Sequence, residues 1–251
     1  MNQQPPGRPP ALSLSASLRL PLIERWLQEI RPASVLEVGA GMGAMGYRLA
    51  SRYDYRGYEP DPTSYQVAAA RLEVLGRGEM VNGVLPVQPE RHFDLLVAFE
   101  VLEHIENDAD ALTSWVRWLS PTGSMIVSVP AHPERFGPCD EMVGHCRRYT
   151  RAQLASLIGS AGFEPTIQSW GMPVGFALEA VRNRLARRRS GQREVGTPGS
   201  GRLYQPPSQM GRAVELTMRP LASLQRPFVD GDRGTGWVAM GRRPAWSPPA
   251  S

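Results

Sequence analysis

Residues 34–46 read SVLEVGAGMGAMG. A short apolar run stops on Gly39, glycine returns at 41 and 43, and a stretch suited to a helix begins near Met45. An apolar run of this length closed by glycines predicts a buried strand and a sharp turn. Glycines there let the backbone pass close to a ligand while the N–H groups of the next helix face it. The alternation recurs downstream: YRGYE (55–59), FDLLVAF (93–99) and SMIVSVP (124–130) read as strands, separated by the helical stretches TSYQVAAARLEVL (63–75) and ALTSWVRWL (111–119). Strands alternating with helices imply an α/β fold with a doubly wound, parallel sheet. Ahead of it, SLRLPLIERWLQEI (17–30) sets Leu20, Ile23, Trp26, Leu27 and Ile30 at helical spacing.

After residue 163 the pattern changes. TIQSW (166–170) and GWVAMGRR (236–243) read as two more strands with roughly 65 residues between them, far more than a hairpin uses. That piece contains FALEAVRNRLARRR (176–189), a Gly/Ser/Pro-rich loop and AVELTMRPLASLQR (213–226). It reads as a helical insertion over 171–235 that caps the active edge of the sheet, with a mobile loop over 190–209. The proline-rich residues 1–13 read as a flexible arm, and 14–251 as one domain.

The chain has 251 residues, 41% hydrophobic, enough to bury a sizeable core. Its 28 basic residues against 24 acidic give a net charge of +4, and every one of the 28 is arginine. Schiff-base lysines, lysine general bases and P-loop lysines are thereby excluded, because guanidinium cannot imitate them. Two cysteines, Cys139 and Cys146, in a polar stretch suit a reducing compartment and predict a cytoplasmic protein. No apolar run approaches the ~20 residues of a membrane span, and MNQQPPGRPP lacks the layout of a signal peptide. The apolar faces of the insertion suit a homodimer.

Gly41-x-Gly43-x-x-Gly46 also fits the dinucleotide fingerprint, so the glycines alone leave a nicotinamide-dependent oxidoreductase open. Two acids sharpen the reading. Glu37, before the first glycine, suits a cationic ligand better than a pyrophosphate, and Glu59, ending the next strand, can accept both hydroxyls of a ribose. The plainer alternative for Glu59 is a solvated strand end.

Glu37-x-Gly39-x-Gly41-x-Gly43, then Glu59, FDLLVAFEVLEHIEND (93–108), LSPTGSMIVSVP (119–130) and AGF (161–163) together resemble the class I S-adenosylmethionine-dependent methyltransferases over about residues 15–170. The resemblance implies a Rossmann-like, mostly parallel seven-stranded sheet with the insertion between its last two strands. It implies that Glu37, Gly39, Gly41 and Gly43 hold the methionine end, Glu59 the ribose, and Asn82, Gly83 and Val84, up to Leu85, the adenine edge, with Glu100 beside the cofactor. Many relatives carry an aspartate near position 83, where this chain has Asn82 and Gly83, so backbone would make the adenine contact.

EVLEH (100–104) raises a second question. On a helix starting at the strand's end, Glu100, Glu103 and His104 would share a face and converge. Their oxygen and nitrogen donors lean towards Mg²⁺, Mn²⁺ or Fe²⁺/Co²⁺. A fourth ligand is needed, and His132 and His145 are available. The cluster resembles the metal-dependent terminal 2′-O-methyltransferases of small RNAs, which implies the ligand set Glu100, Glu103, His104 and His145 and leaves His132 on the substrate side. The plainer reading is that the Glu-His pair caps or orients a helix.

A divalent cation with four protein ligands keeps two octahedral positions for a vicinal diol, which predicts a sugar-like acceptor. His145 or His132 could instead serve as a general base; His145, His104 and Glu103 are the catalytic candidates. FGPCDEMVGHCRRYT (136–150) leaves the carboxyl edge of the sheet and offers Asp140, Glu141, Arg147 and Arg148 to a substrate. RNRLARRRSGQR (182–193) holds six arginines and no acid, but it lacks interleaved aromatics, which disfavours a nucleic-acid partner. RNA 2′-O-methylation is the runner-up. The reading is an O-methyltransferase with S-adenosyl-L-methionine and a divalent cation, Mg²⁺ or Mn²⁺, acting on a small molecule or oligosaccharide. The arginine-rich, lysine-free composition is similar to that of actinobacterial enzymes methylating mannose-containing polysaccharide precursors.

Overall fold

The structure is a computed structural model and describes residues 9–189, 220 and 222–244. Helix α1 (Leu14–Ile30) is N-capped by Ser13, whose hydroxyl accepts from the Ala16 N–H at 3.2 Å. Then follow β1 (Ser34–Val38), α2 (Ala44–Ala50), β2 (Asp54–Glu59), α3 (Pro62–Leu75), β3 (Glu79–Asn82), β4 (Phe93–Phe99), α4 (Asp108–Trp115), β5 (Leu119–Pro130), α5 (Pro138–Val143), α6 (Arg151–Ser160), β6 (Glu164–Trp170), α7 (Val174–Arg189) and β7 (Gly236–Arg242).

The strands form one seven-stranded sheet, as the resemblance implies, and their order is β3-β2-β1-β4-β5-β7-β6. β1 to β5 pair in parallel, and β7 runs antiparallel to both β5 and β6. The chain moves outward from β1 to β3, then crosses to β4 on β1's other side. The crevice at this switch point, above the carboxyl ends of β1 and β4, is where an open α/β sheet binds its ligand. Central strands are buried on both faces and read as continuous apolar runs: Leu95, Leu96 and Val97 are each wholly buried. One core, around Trp118 and Phe93, lies beneath one face; the other, around Trp26 and Ile23 of α1, lies beneath the opposite face.

Three expectations need correction or a limit. Residues 9–13 are not a free arm: the Pro10 carbonyl accepts from Arg48 at 2.6 Å and Leu12 is buried. No helix starts at Glu100. Instead that residue takes a left-handed conformation (φ 58°) and a single 3-10 turn, Leu102–His104, follows. Of the insertion, α7 is seen and packs beside α5, whereas the 190–209 loop and most of the predicted helix over 213–226 lie outside the described residues. No described helix is long and apolar enough to cross a membrane.

Candidate active site

The donor half is built by backbone. Gly43, at the N-cap of α2, has φ 72°, and a side chain there would come within 2.8 Å of Ala68 on α3; only glycine fits. Glu59 clamps the loop: its Oε2 accepts the Gly41 N–H at 2.7 Å and its Oε1 the Asp61 N–H at 2.9 Å. Each oxygen keeps a second lone pair, the capacity a diol would use. Burial raises the Glu59 pKa, opposed by the Asp61 and Gly41 N–H groups. Asn82 and Gly83 close the edge, both bonded to the Glu59 carbonyl at 3.0 Å, with Val84 exposed next to them.

Glu37 departs from the expected role. It is buried beneath the glycine loop, and its Oε2 accepts from the Tyr55 hydroxyl at 2.6 Å. Burial raises its pKa to about 8, the Tyr55 hydrogen bond lowers it and the Glu59 charge adds to the rise. In this arrangement Glu37 is committed to Tyr55 and almost fully shielded from solvent.

The acceptor half is built by side chains. The 3-10 turn after β4 carries Glu103 and His104. Glu103 is wholly buried, neither of its oxygens has a hydrogen-bond partner among the described residues, and its pKa stands well above the usual carboxylate range, first by burial and then by the Glu100 charge. His104 Nδ1 meets the Gly144 carbonyl at 3.2 Å, and its pKa is lowered by burial and by His145. The two imidazoles stand edge to face with centroids 4.7 Å apart. His145 Nε2 lies 3.7 Å from Glu103 Oε1, and its Nδ1 meets Asp140 Oδ1 at 2.8 Å. Glu103, His104 and His145 each bring one ligand atom within 4.8 Å of the others. Glu100 does not join them. Its left-handed backbone turns the carboxylate away, to Arg19 Nη1 at 2.9 Å and the Ser128 hydroxyl at 3.0 Å. The fourfold ligand set is therefore threefold among the described residues.

Asp140 and Arg148, predicted to meet substrate, form a buried pair next to His145 and also line the cavity described below. Arg148 Nη2 reaches Asp140 Oδ2 at 2.8 Å and its Nη1 reaches Glu179 Oε1 on α7 at 2.5 Å. Burial pushes the Asp140 pKa up, but His145 and Arg148 outweigh it and hold it at about 2. Glu179 also pairs with Arg135, so α7 is fastened over the site by charge. A small cavity open to solvent lies beneath it, lined among others by Glu100, Asp140, His145, Arg148, Trp170 and Glu179. The Trp170 Nε1–H at its wall is buried without a hydrogen-bond partner among the described residues.

Residues 15–168 match a family described as a methyltransferase domain. The chain belongs to that methyltransferase family. A probable S-adenosylmethionine-dependent methyltransferase of Mycolicibacterium smegmatis is 34% identical over 138 residues, 52% of this chain and 51% of that protein. A ubiquinone biosynthesis O-methyltransferase of Bradyrhizobium diazoefficiens is 32% identical over 98 residues, 38% of each. The phosphoethanolamine N-methyltransferase of Triticum aestivum is 26% identical over 108 residues, 41% of this chain and 21% of that one. The matches span about half or less of the length of these relatives. Of these, the Mycolicibacterium smegmatis relative is named for its dependence on S-adenosylmethionine.

The remaining predicted substrate residues of the methyltransferase lie apart. Glu141 is exposed on α5. Arg147 binds Asp108 at 3.3 Å and the Glu106 carbonyl at 2.7 Å. His132, left-handed at φ 67°, stacks towards Trp237 at 5.6 Å and pairs with Glu134 at 3.3 Å. Sequence reasoning missed Arg19, Glu179 and Trp170. Helical periodicity hid Arg19 within an apolar face, and Glu179 and Trp170 carry no local motif.

Proposed function

We propose that the enzyme transfers the methyl group to a hydroxyl of a small polyhydroxylated acceptor, a saccharide, with a divalent cation held by Glu103, His104 and His145. The buried Glu103 carboxyl, with neither oxygen hydrogen-bonded among the described residues, carries this reading, because orphaned buried oxygens are costly and a cation beside them would both pair with them and favour the ionised form. The neighbours fit: Asp140 and the Gly144 carbonyl engage the two Nδ1 atoms, as carboxylates and carbonyls commonly do behind a histidine that ligates a metal through its other nitrogen. With Glu100 turned away, one carboxylate and two imidazoles favour Mn²⁺, Fe²⁺ or Co²⁺ over Mg²⁺. Bound there, such a cation would lower the pKa of an acceptor hydroxyl and fix its position.

The chemistry at the residues is an in-line displacement. The acceptor oxygen bonds the methyl carbon, the carbon–sulfur bond breaks, the sulfonium becomes a neutral thioether and the hydroxyl proton is lost. The cavity beside His145, with an indole N–H and several carboxylates on its wall, suits hydroxyl groups. Acidic lining also fits the alternative that His145, held by Asp140, accepts the proton itself as a general base, worth about 10²- to 10⁴-fold.

One experiment separates the two. Methyl transfer to a panel of mono- and oligosaccharides is measured in EDTA and after Mn²⁺ or Mg²⁺ is restored. Loss in EDTA with rescue by metal supports the cation; undiminished turnover assigns the proton to His145 alone. In both cases His145→Ala lowers kcat by about 10²-fold or more with S-adenosylhomocysteine affinity retained. Absence of transfer to every polyol, with transfer to amines, overturns the acceptor assignment.

A further inference from the structure

We infer that the outward face of α7 is a docking surface for an anionic lipid bilayer. The inference goes beyond the proposed reaction and depends on neither the metal nor the acceptor.

Helix α7 has two faces with different tasks. One looks into the molecule: Leu178, Glu179 and Arg182 line the acceptor cavity, and Ala186 is buried. Glu179, the single acid of the helix, is held there by Arg135 and Arg148. The other face looks outward. Val181 is 56% and Leu185 48% exposed, and their spacing of four residues sets them one above the other. Ala177 extends this apolar stripe by a further turn, and Arg184 and Arg187 are exposed beside it. No exposed residue of 174–187 is acidic. The chain leading into α5 lies alongside, with Arg135 over the Phe176 ring at 4.2 Å, and its next residue, Phe136, is 38% exposed.

A helix face turned to water is ordinarily polar. Here it combines aliphatic side chains with charge of one sign, and RNRLARRR (182–189) holds five arginines and no acid. An anionic bilayer accepts both components: aliphatic groups enter the boundary between headgroups and acyl chains, while guanidinium groups reach the lipid phosphates in paired hydrogen bonds. Other occupants match only half of the face. A two-fold contact with a second copy sets the same patch against itself, and so Arg184 and Arg187 against their own counterparts. A nucleic acid would engage the arginines, but α7 exposes no aromatic ring for bases to stack on, and Val181 and Leu185 would have no task. The inward and outward faces of a helix are about 10–12 Å apart, so docking would hold the acceptor cavity close to the bilayer.

The test sediments the protein with vesicles of phosphatidylcholine alone and of phosphatidylcholine and phosphatidylglycerol in equal parts. Binding is expected to the second only, weakening as salt is added. Arg184→Gln combined with Arg187→Gln should reduce it about 10- to 30-fold, and Leu185→Glu about 10-fold. Both variants should keep the parent affinity for S-adenosylhomocysteine in calorimetry, which shows that the fold is intact. Absence of binding to either vesicle overturns the inference, as does binding that neither variant weakens. A dimer in solution that Leu185→Glu dissociates, without vesicle binding, overturns it in favour of a second copy. Retention on RNA that needs the arginines but not Leu185, again without vesicle binding, overturns it in favour of a nucleic acid.

Discussion

The two halves of the active site are made differently. In the donor half, Glu59 fixes the glycine loop through two backbone N–H groups, and the neighbouring Asn82 and Gly83 both hang on one carbonyl. In the acceptor half, the turn with Glu103 and His104 meets His145 from some 40 residues away, and Asp140, Arg148 and Glu179 brace it from three separate segments. A site held by backbone tolerates the loss of most side chains. A site held by buried charges depends on each of them, because removing one leaves its partner uncompensated.

Asp140→Asn should break this contrast most visibly. It weakens the bond that orients His145 and deprives Arg148 of a carboxylate, leaving Glu179 alone to balance it. Turnover should fall about 10- to 100-fold, the usual effect of losing the group behind a functional imidazole, while S-adenosylhomocysteine binding, measured by calorimetry, stays intact. A parallel loss of cofactor affinity would show that the halves are coupled.

The same contrast explains what could be read without coordinates. The glycine loop, Glu59 and the α/β plan were legible because a contiguous motif dictates local backbone geometry and a strand–helix alternation points to a parallel sheet. β3 was not read as a strand: its four residues, EMVN, lie half-exposed at the sheet edge and show no apolar run. EVLEH had helical spacing, but spacing carries no information that Glu100 adopts positive φ and turns to an arginine 81 positions earlier. Asp140 and Arg148 were read as substrate contacts without the buried network that joins them, because its third member, Glu179, comes from the insertion.

Glu37 gives a smaller effect, in stability. Its folded pKa of about 8 lies above the carboxylate value of 4.5. Its contribution to stability is therefore fully present below pH 4.5 and lost as the pH rises through about 8. The cofactor-free protein should melt at progressively lower temperature across that window. Glu37→Gln keeps an acceptor for Tyr55 without the ionisation, so its melting curve should be flatter. Each kcal/mol recovered at the alkaline end is worth about 2–4 °C in a chain of this size. Identical pH profiles for the two proteins would mean that Glu37 is ionised when folded and has a cation beside it.

Gly41 sharpens the comparison within the donor half itself. Gly41 and Gly43 both have positive φ, 56° and 72°, so alanine at either carries the left-handed penalty of about 1–2 kcal/mol. They differ in what surrounds them. A side chain at 43 would strike Ala68 at 2.8 Å, whereas nothing stands within 4 Å of one at 41. Gly41→Ala should therefore lower stability by only that conformational penalty, read by urea denaturation. Space open to the crevice is also where the donor must approach the backbone, so the variant should lose S-adenosylhomocysteine affinity out of proportion to its stability. Gly43→Ala should show the reverse, unfolding earlier than its residual affinity would suggest. Equal ratios for the two variants would mean that the loop responds as one rigid unit, and that the open side of Gly41 does not face the ligand.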